Sequence, residues 1–424
     1  MISRLSLVAA VVGLLAFSGN ARSQTPTPEA APADQGAAPA DQGAAPMAAP
    51  PAAPEPAPSA APAVSADIIG TPVATFKAEP PKGNTLKVGL LLQPQFQSLG
   101  STALDGNSYN LFLRRTRVLV GGTLFGVFDY FFDTDYPNLF LADNVAGPPA
   151  MTTKITPGLN IQDAFITWHA LGDMVKVDAG FMLPPLAHNA VQGAGTLYMW
   201  DYFAFSFLSG ANTLFGSTIS PVGRDLGVQL RGLLLDGHLE YRAGLFQGLR
   251  DTDTATNVGS NNFFRATGRI QINLLDPEPG FFYAGTYLGA KKILSIGVSG
   301  DTQSSYHYEA ADAFADLPVG PAGVFTAQVN VAHWNGGTFI PGLPKETAVM
   351  SEAGFNIAAL RLSPILHYEY LWSTVANQSR AGGGLAFWPF GHSSNLKAFY
   401  TRNFEAGTAH EDNQFNVQWQ LYFF

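Results

Sequence analysis

From residue 86 to the end of the chain, hydrophobic and polar residues alternate with a period of two. Between 86 and 97, Leu86, Val88, Leu90, Leu92 and Phe96 share one phase, while Lys87, Gln93, Gln95 and Gln97 share the other. The pattern returns at 225–232, where Leu226, Val228 and Leu230 alternate with Asp225, Gln229 and Arg231. It returns again with Leu239, Tyr241, Ala243 and Leu245 against His238, Glu240 and Arg242, and with Ile270 and Ile272 against Arg269, Gln271 and Asn273. In 324–334, Phe325, Ala327, Val329 and Val331 oppose Thr326, Gln328 and Asn330. A β-strand sends successive side chains to opposite faces, so each segment offers one face to an apolar medium and one to water.

Sixteen such segments can be counted, at 86–97, 109–122, 126–135, 160–170, 174–184, 224–233, 238–247, 264–273, 290–303, 306–314, 324–334, 351–359, 362–372, 380–388, 394–403 and 413–424. Their connections alternate in length. Those after even-numbered segments are short (122–126, 171–173, 234–237, 317–323, 359–361, 389–393), and those after odd-numbered segments are mostly long (98–108, 136–159, 185–223, 248–263, 335–350). Short turns at one end and long loops at the other is the pattern of an outer-membrane β-barrel, with the turns in the periplasm. Two connections depart from it: 274–289 is long for a turn, and 304–305 is short for a loop. The last segment alternates Phe415, Val417, Trp419, Leu421 and Phe423 with Asn416, Gln418, Gln420 and Tyr422, and Phe424 follows out of phase. Trp168, Trp334, Trp372, Trp388 and Tyr400 fall near segment ends, where interfacial aromatic girdles are expected.

The N-terminus reads as a secretory signal over 1–23, with Arg4, a largely apolar run from Leu5 to Phe17, and small residues at Ala21 and Ser23. Residues 24–82 are low in complexity and carry the repeat Ala-Pro-Ala-Asp-Gln-Gly-Ala at 31–37 and 38–44. Proline removes backbone donors and alanine buries little, so this region reads as a disordered, semi-rigid spacer before a barrel over 83–424. Charged residues are only 13%, below the quarter or so usual in soluble domains, yet no apolar run after the signal could span as a helix. A barrel with apolar-out, polar-in strands satisfies both facts.

There is no cysteine, so neither a disulfide nor an N-terminal lipid anchor on cysteine is available. The net charge of −9 becomes −11 once Arg4 and Arg22 leave with the signal, and no basic stripe suggests nucleic acid. The eight histidines are scattered without His-Glu-x-x-His spacing, and no Gly-x-Ser-x-Gly is present. Neither an enzyme, nor a cofactor, nor a metal site is expected.

The expected inward face carries the candidate chemistry. Arg231, Arg242, Arg265 and Arg269 fall on segments six to eight, whereas Asp129, Asp133, Asp135, Asp163 and Asp178 fall on segments three to five. These would form a basic and an acidic wall with a transverse field between them. In the alternative, the same charges pair across adjacent strands and stiffen the wall.

Several blocks, in order, resemble the family of phosphate-selective porins O and P. They are Leu111-Phe112-Leu113-Arg114-Arg115-Thr116-Arg117, the stretch from Gly122 to Tyr130, Ile161 to Ile166, Gly180 to Pro185, Gly223 to Gly232, and Gly391 to Tyr400. The resemblance implies a sixteen-stranded homotrimeric channel with basic lining residues at Arg114, Arg115 and Arg117. It also implies a third outer loop, 185–223, folded inward as a constriction. That loop contains no lysine or arginine, but it does contain Tyr198, Trp200, Asp201 and Tyr202. The expectation is a bacterial outer-membrane porin that contacts lipid and passes small hydrophilic solutes, with at most a mild anion or phosphate preference. The alternative is a plugged barrel that anchors a periplasmic partner through its Ala/Pro spacer.

Overall fold

The computed structural model describes residues 83–101, 106–145, 151–154, 158–202, 223–249, 264–340, 343–374, 377–405 and 411–424. The expected signal and spacer lie outside these residues, as does the stretch 203–222 of the third loop. The described chain forms β1 (Lys87–Ser101), β2 (Gly106–Leu124), β3 (Phe128–Asp135), β4 (Ala142–Val145), β5 (Met151–Lys154), β6 (Asn160–Leu171), β7 (Val175–Met182), β8 (Asp225–Leu234) and β9 (Leu239–Phe246). It continues with β10 (Arg265–Asn273), β11 (Ile293–Gln303), β12 (Tyr306–Val319), β13 (Gly323–Asn335), β14 (Glu346–Ile357), β15 (Leu362–Ser373), β16 (Gln378–Phe387), β17 (Ser394–Glu405) and β18 (Glu411–Phe423).

All but β4 and β5 join one closed antiparallel barrel of sixteen strands, each paired with its neighbour in sequence. β4 and β5 form a separate hairpin within the second loop. Closure is made by β1 against β18, in register from Leu90 opposite Phe423 to Ser101 opposite Asp412. A closed ladder leaves no strand edge unpaired, which is what allows β-structure to sit in hydrocarbon.

The period-two pattern resolves into an outer apolar and an inner polar face. On β10, Ile270 and Ile272 are exposed outward, while Arg269 and Gln271 are buried on the inside. The irregular connections at 274–292 and 304–305 are both present, so β11 and β12 do belong to the wall. The terminal residue departs from its strand. Phe423 is exposed on the outside, and the ring of Phe424 sits inside against Phe131, at 5.5 Å between centroids. Gly89 and Gly121 line that seat, and a Cβ on either would fall within 3 Å of the Phe424 side chain.

Of the five aromatic residues expected in a girdle, three face outward. Trp168, Trp372 and Tyr400 are exposed. Trp334 and Trp388 instead face inward and are buried, because each indole N–H has a partner inside: Glu346 at 3.0 Å and the Ser363 hydroxyl at 3.0 Å. An indole can satisfy its one donor in a polar lumen as well as at a lipid interface.

Candidate functional site: the lumen

The inside of the barrel is shaped by two segments that leave the wall. The first is the third loop, 183–224, between β7 and β8. Ala187 packs with Tyr306, Tyr308, Ala332 and Trp334 of β12 and β13. Short 3-10 turns follow at His188–Val191 and Ala194–Thr196. Tyr198, Met199 and Trp200 then pack on Ile365, Ala386, Trp388 and Phe399 of the β15–β17 region. Ala190, Ala194, Leu197 and Tyr202 meet Leu91 and Leu119 of β1 and β2. The loop therefore lines the inner wall from β12 round to β2.

Charged side chains fasten it there. Asp201 receives Arg114 at 2.8 Å and Arg115 at 2.6 Å. Neighbours on a strand point to opposite faces, so two adjacent arginines on one carboxylate need a break in the pattern. A β-bulge supplies the break. The β1–β2 register shifts between Leu92 and Pro94, which leaves Arg114 and Arg115 together opposite Gln93. Burial would raise the Asp201 carboxyl, but the two guanidiniums outweigh it and hold it well below the usual carboxylate range. On the far side, the buried Lys397 of β17 donates to the carbonyls of Leu197 at 2.7 Å and Met199 at 3.0 Å.

The second segment is the connection 274–292 between β10 and β11, at the short-turn end. It folds into the barrel and meets the third loop backbone to backbone. Tyr283 N–H donates to Val191 at 3.1 Å, Gly193 N–H to Tyr283 at 2.9 Å, and Gly285 N–H to Thr196 at 3.0 Å. Gly285 is required at this approach, since a Cβ there would lie 2.5 Å from the Tyr198 nitrogen. His188 is stacked between Tyr283 and Phe314, with centroids at 4.6 and 4.4 Å. Its Nε2 lies 3.1 Å from Glu278, which also accepts the Tyr287 hydroxyl at 2.8 Å. Burial raises the Glu278 carboxyl, yet His188 and these hydrogen bonds outweigh it and hold it below its ordinary value. The two segments form a crossbar joined by backbone and side-chain bonds. The length anomaly at 274–289 signalled the second segment, and Lys397 lies in the Gly391 to Tyr400 block, but Glu278 and His188 carried no motif that marked them.

The arginines that face the chamber and the crossbar are paired with carboxylates. Arg117 binds Asp133 at 2.9 Å and Asp135 at 3.0 Å; Arg224 binds Asp163 at 2.8 Å; Arg231 binds Asp178 at 2.8 Å. Arg242 binds Glu240 at 2.7 Å, Arg265 binds Asp301 at 2.7 Å, and Arg269 binds Asp312 at 2.6 Å. At the rim, Asp129 lies 2.6 Å from His169. The expected basic and acidic walls are thus interleaved, because β8 brings Arg224 and Arg231 beside the carboxylates of β6 and β7. Remaining guanidinium donors hold the crossbar: Arg231 bonds Pro279 O at 3.3 Å, Arg242 Phe281 O at 2.8 Å, and Arg269 Leu186 O at 3.1 Å.

Between the crossbar and the wall of β1–β3 and β6–β8 lies a chamber of about 530 Å³. It reaches the short-turn rim at Thr85, Lys87 and His169 and extends inward to Arg117, Asp133, Asp163 and Arg224. Phe131, Phe165, Phe281 and Phe282 form an aromatic group along it, with Phe281 4.4 Å from Phe165 and Phe282 5.6 Å from Phe131. Of the expected constriction residues, Tyr202 lines the chamber, Asp201 is the anchored carboxylate, and Tyr198 and Trp200 are packed against the wall. Among the described residues no group of histidine, aspartate and glutamate side chains could hold a metal ion.

No family model matches the sequence, and no curated protein matches it. Solved structures do. The chain is similar to an anion-selective porin from Comamonas acidovorans, with a TM-score of 0.54, 12% identity, and coverage of 80% of this chain and 100% of that one. It is similar also to the outer-membrane channel DcaP of Acinetobacter baumannii, with a TM-score of 0.50, 12% identity, and coverage of 80% and 98% respectively. The chain has the fold of these outer-membrane channels.

Proposed function

We propose that the protein is a bacterial outer-membrane porin through which small hydrophilic solutes diffuse passively along the chamber beside the crossbar. The observation that carries this reading is the chamber, lined by charged and aromatic side chains, held open inside a closed barrel whose outer face is apolar. A pore selects ions by the uncompensated charge near its narrowest part. Here each chamber arginine already has a carboxylate, and Arg114 and Arg115 of the double-arginine motif are engaged by Asp201. Ion selectivity is therefore weak, and any anion or phosphate preference is mild. An export signal at 1–23, a periplasmic spacer at 24–82, insertion in lipid and assembly as a homotrimer belong to the same reading.

The crossbar favours a second reading, since segments from both ends meet inside the lumen. In it the barrel is a closed anchor and the spacer is its working part. Single-channel recording of the purified protein in a planar bilayer, with a salt gradient and a phosphate titration, tests both. Open steps with a reversal potential near zero, unchanged by phosphate, support the porin. Block by low phosphate would assign phosphate selectivity instead, and silent but well-inserted protein would favour the anchor.

A further inference from the structure

The chamber wall has a finer order than a water-filled path needs. β3 and β6 pair so that Asp133 lies opposite Asp163, and one rung nearer the rim Phe131 lies opposite Phe165. Two residues along a strand span about 6.8 Å, so a carboxylate rung and a phenyl rung sit one sugar-ring width apart. Phe282 of the crossbar closes on Phe131 from the inside. Both Phe131 and Phe282 remain half-buried, which leaves ring surface to the chamber.

Two polar atoms at the carboxylate rung are unused. Asp133 accepts from Arg117 through Oδ2, but its Oδ1 is buried with no partner among the described residues. Arg224 donates through Nε and Nη2 to Asp163, but its Nη1 is likewise buried without a partner. Both residues are only 2% exposed and both line the chamber. A solute that satisfies both atoms in one contact is favoured at this rung. An anion could satisfy only the donor and would face the carboxylates; a cation could satisfy only the acceptor. A hydroxyl accepts from one and donates to the other.

We infer that this chamber binds a neutral saccharide, with ring hydroxyls on Asp133 Oδ1 and Arg224 Nη1 and an apolar ring face on Phe131 and Phe282. The chamber volume lies within the range of small-molecule sites. The inference deepens the porin reading, because it rests on solute entering this chamber, and it names the solute class.

Maltose is the probe. It is titrated calorimetrically into the detergent-purified full chain, and in parallel its effect on single-channel current is recorded. Maltose should bind and reduce the current. Asp133→Asn, which turns the free acceptor into a donor, and Phe282→Ser should each weaken binding about tenfold, the equivalent of one lost interaction of this kind. Phe282→Leu, which keeps an apolar side chain at the crossbar, should weaken it less, and heat-modifiable gel mobility checks that every variant is folded. Conducting channels that maltose neither binds nor blocks would overturn the saccharide site and leave the porin standing. Tighter binding of benzoate or inorganic phosphate than of maltose would also overturn it. Maltose binding that the variants weaken, in a protein that never conducts, would support the site and reject the pore.

Discussion

Asp201, on the loop that crosses the lumen, lies 2.6 Å from the guanidinium of Arg115 on β2, and Arg114 joins the same carboxylate from the adjacent position. Removing the carboxylate leaves two inward arginines with no counter-charge and frees one end of the loop. Asp201→Asn is expected to raise single-channel conductance and open-state current noise. Breaking a fully buried pair by removing one partner costs about 3–5 kcal/mol, which is an upper bound here because Asp201 is only partly buried. A quiet trace of wild-type amplitude would show that the loop is held by packing alone.

The same pair sets a pH expectation. The Asp201 carboxyl is held well below its ordinary value, so the stability it contributes is present above the unfolded value of about 3.9 and is lost only as pH falls through the lower folded value. Conductance steps recorded between pH 7 and pH 4.5 (roughly half a unit above that unfolded value) should therefore show no release of the loop attributable to Asp201. Asp201→Asn noise appearing in the wild type within that window would contradict the assignment.

Lys397 fastens the loop from the opposite wall through the carbonyls of Leu197 and Met199. Lys397→Met keeps most of the apolar stem but removes those bonds and the ammonium's place 5.1 Å over the Trp388 ring. We expect a modest rise in current noise alone and a larger-than-additive rise with Asp201→Asn, since both hold one segment. Strict additivity in the double variant would mean the two ends of the loop move independently.

His392, in the turn 388–393, is partly buried against Trp388 with Lys397 nearby, and its Nε2–H donates to Thr286 O at 2.9 Å. Burial pushes its ring down to about 4. Unfolded chain, with the ring near its ordinary value of about 6.5, then takes up the proton first. Stability from this group is lost as pH falls from about 6.5 to about 4, by up to about 3 kcal/mol. His392→Gln should flatten that part of the pH profile of thermal unfolding in detergent, and an unchanged slope would assign it elsewhere.

Ile270 is exposed on the outer face of β10, whereas its neighbour Gln271 is buried inside. Ile270→Arg should cost about 2–4 kcal/mol if it lies near the bilayer midplane, measured as a lower urea midpoint in liposomes. Tolerance of arginine there would mean that this face is covered by protein, as a subunit interface would do.

The period of two was legible because it is set by the backbone. A strand alternates its faces wherever it lies, so Leu226, Val228 and Leu230 declared one face and Gln229 and Arg231 the other before any neighbour was known. The loop alternation follows from a meander whose strands all cross the same thickness, and this too is written along the chain. Tertiary structure decided everything that depends on which inward groups meet. The bulge that turns Arg114 to the side of Arg115 depends on pairing with β1, and Arg224 reaches Asp163 only because β8 docks on β7 and so lies near β6. Trp334 and Trp388 went inside because Glu346 and Ser363 wait there. The connection 274–292 showed its odd length in the sequence, but its inward course rests on Tyr283 meeting Val191 and Gly193 across more than eighty residues. Local geometry is encoded residue by residue; the chamber exists only where distant segments come together.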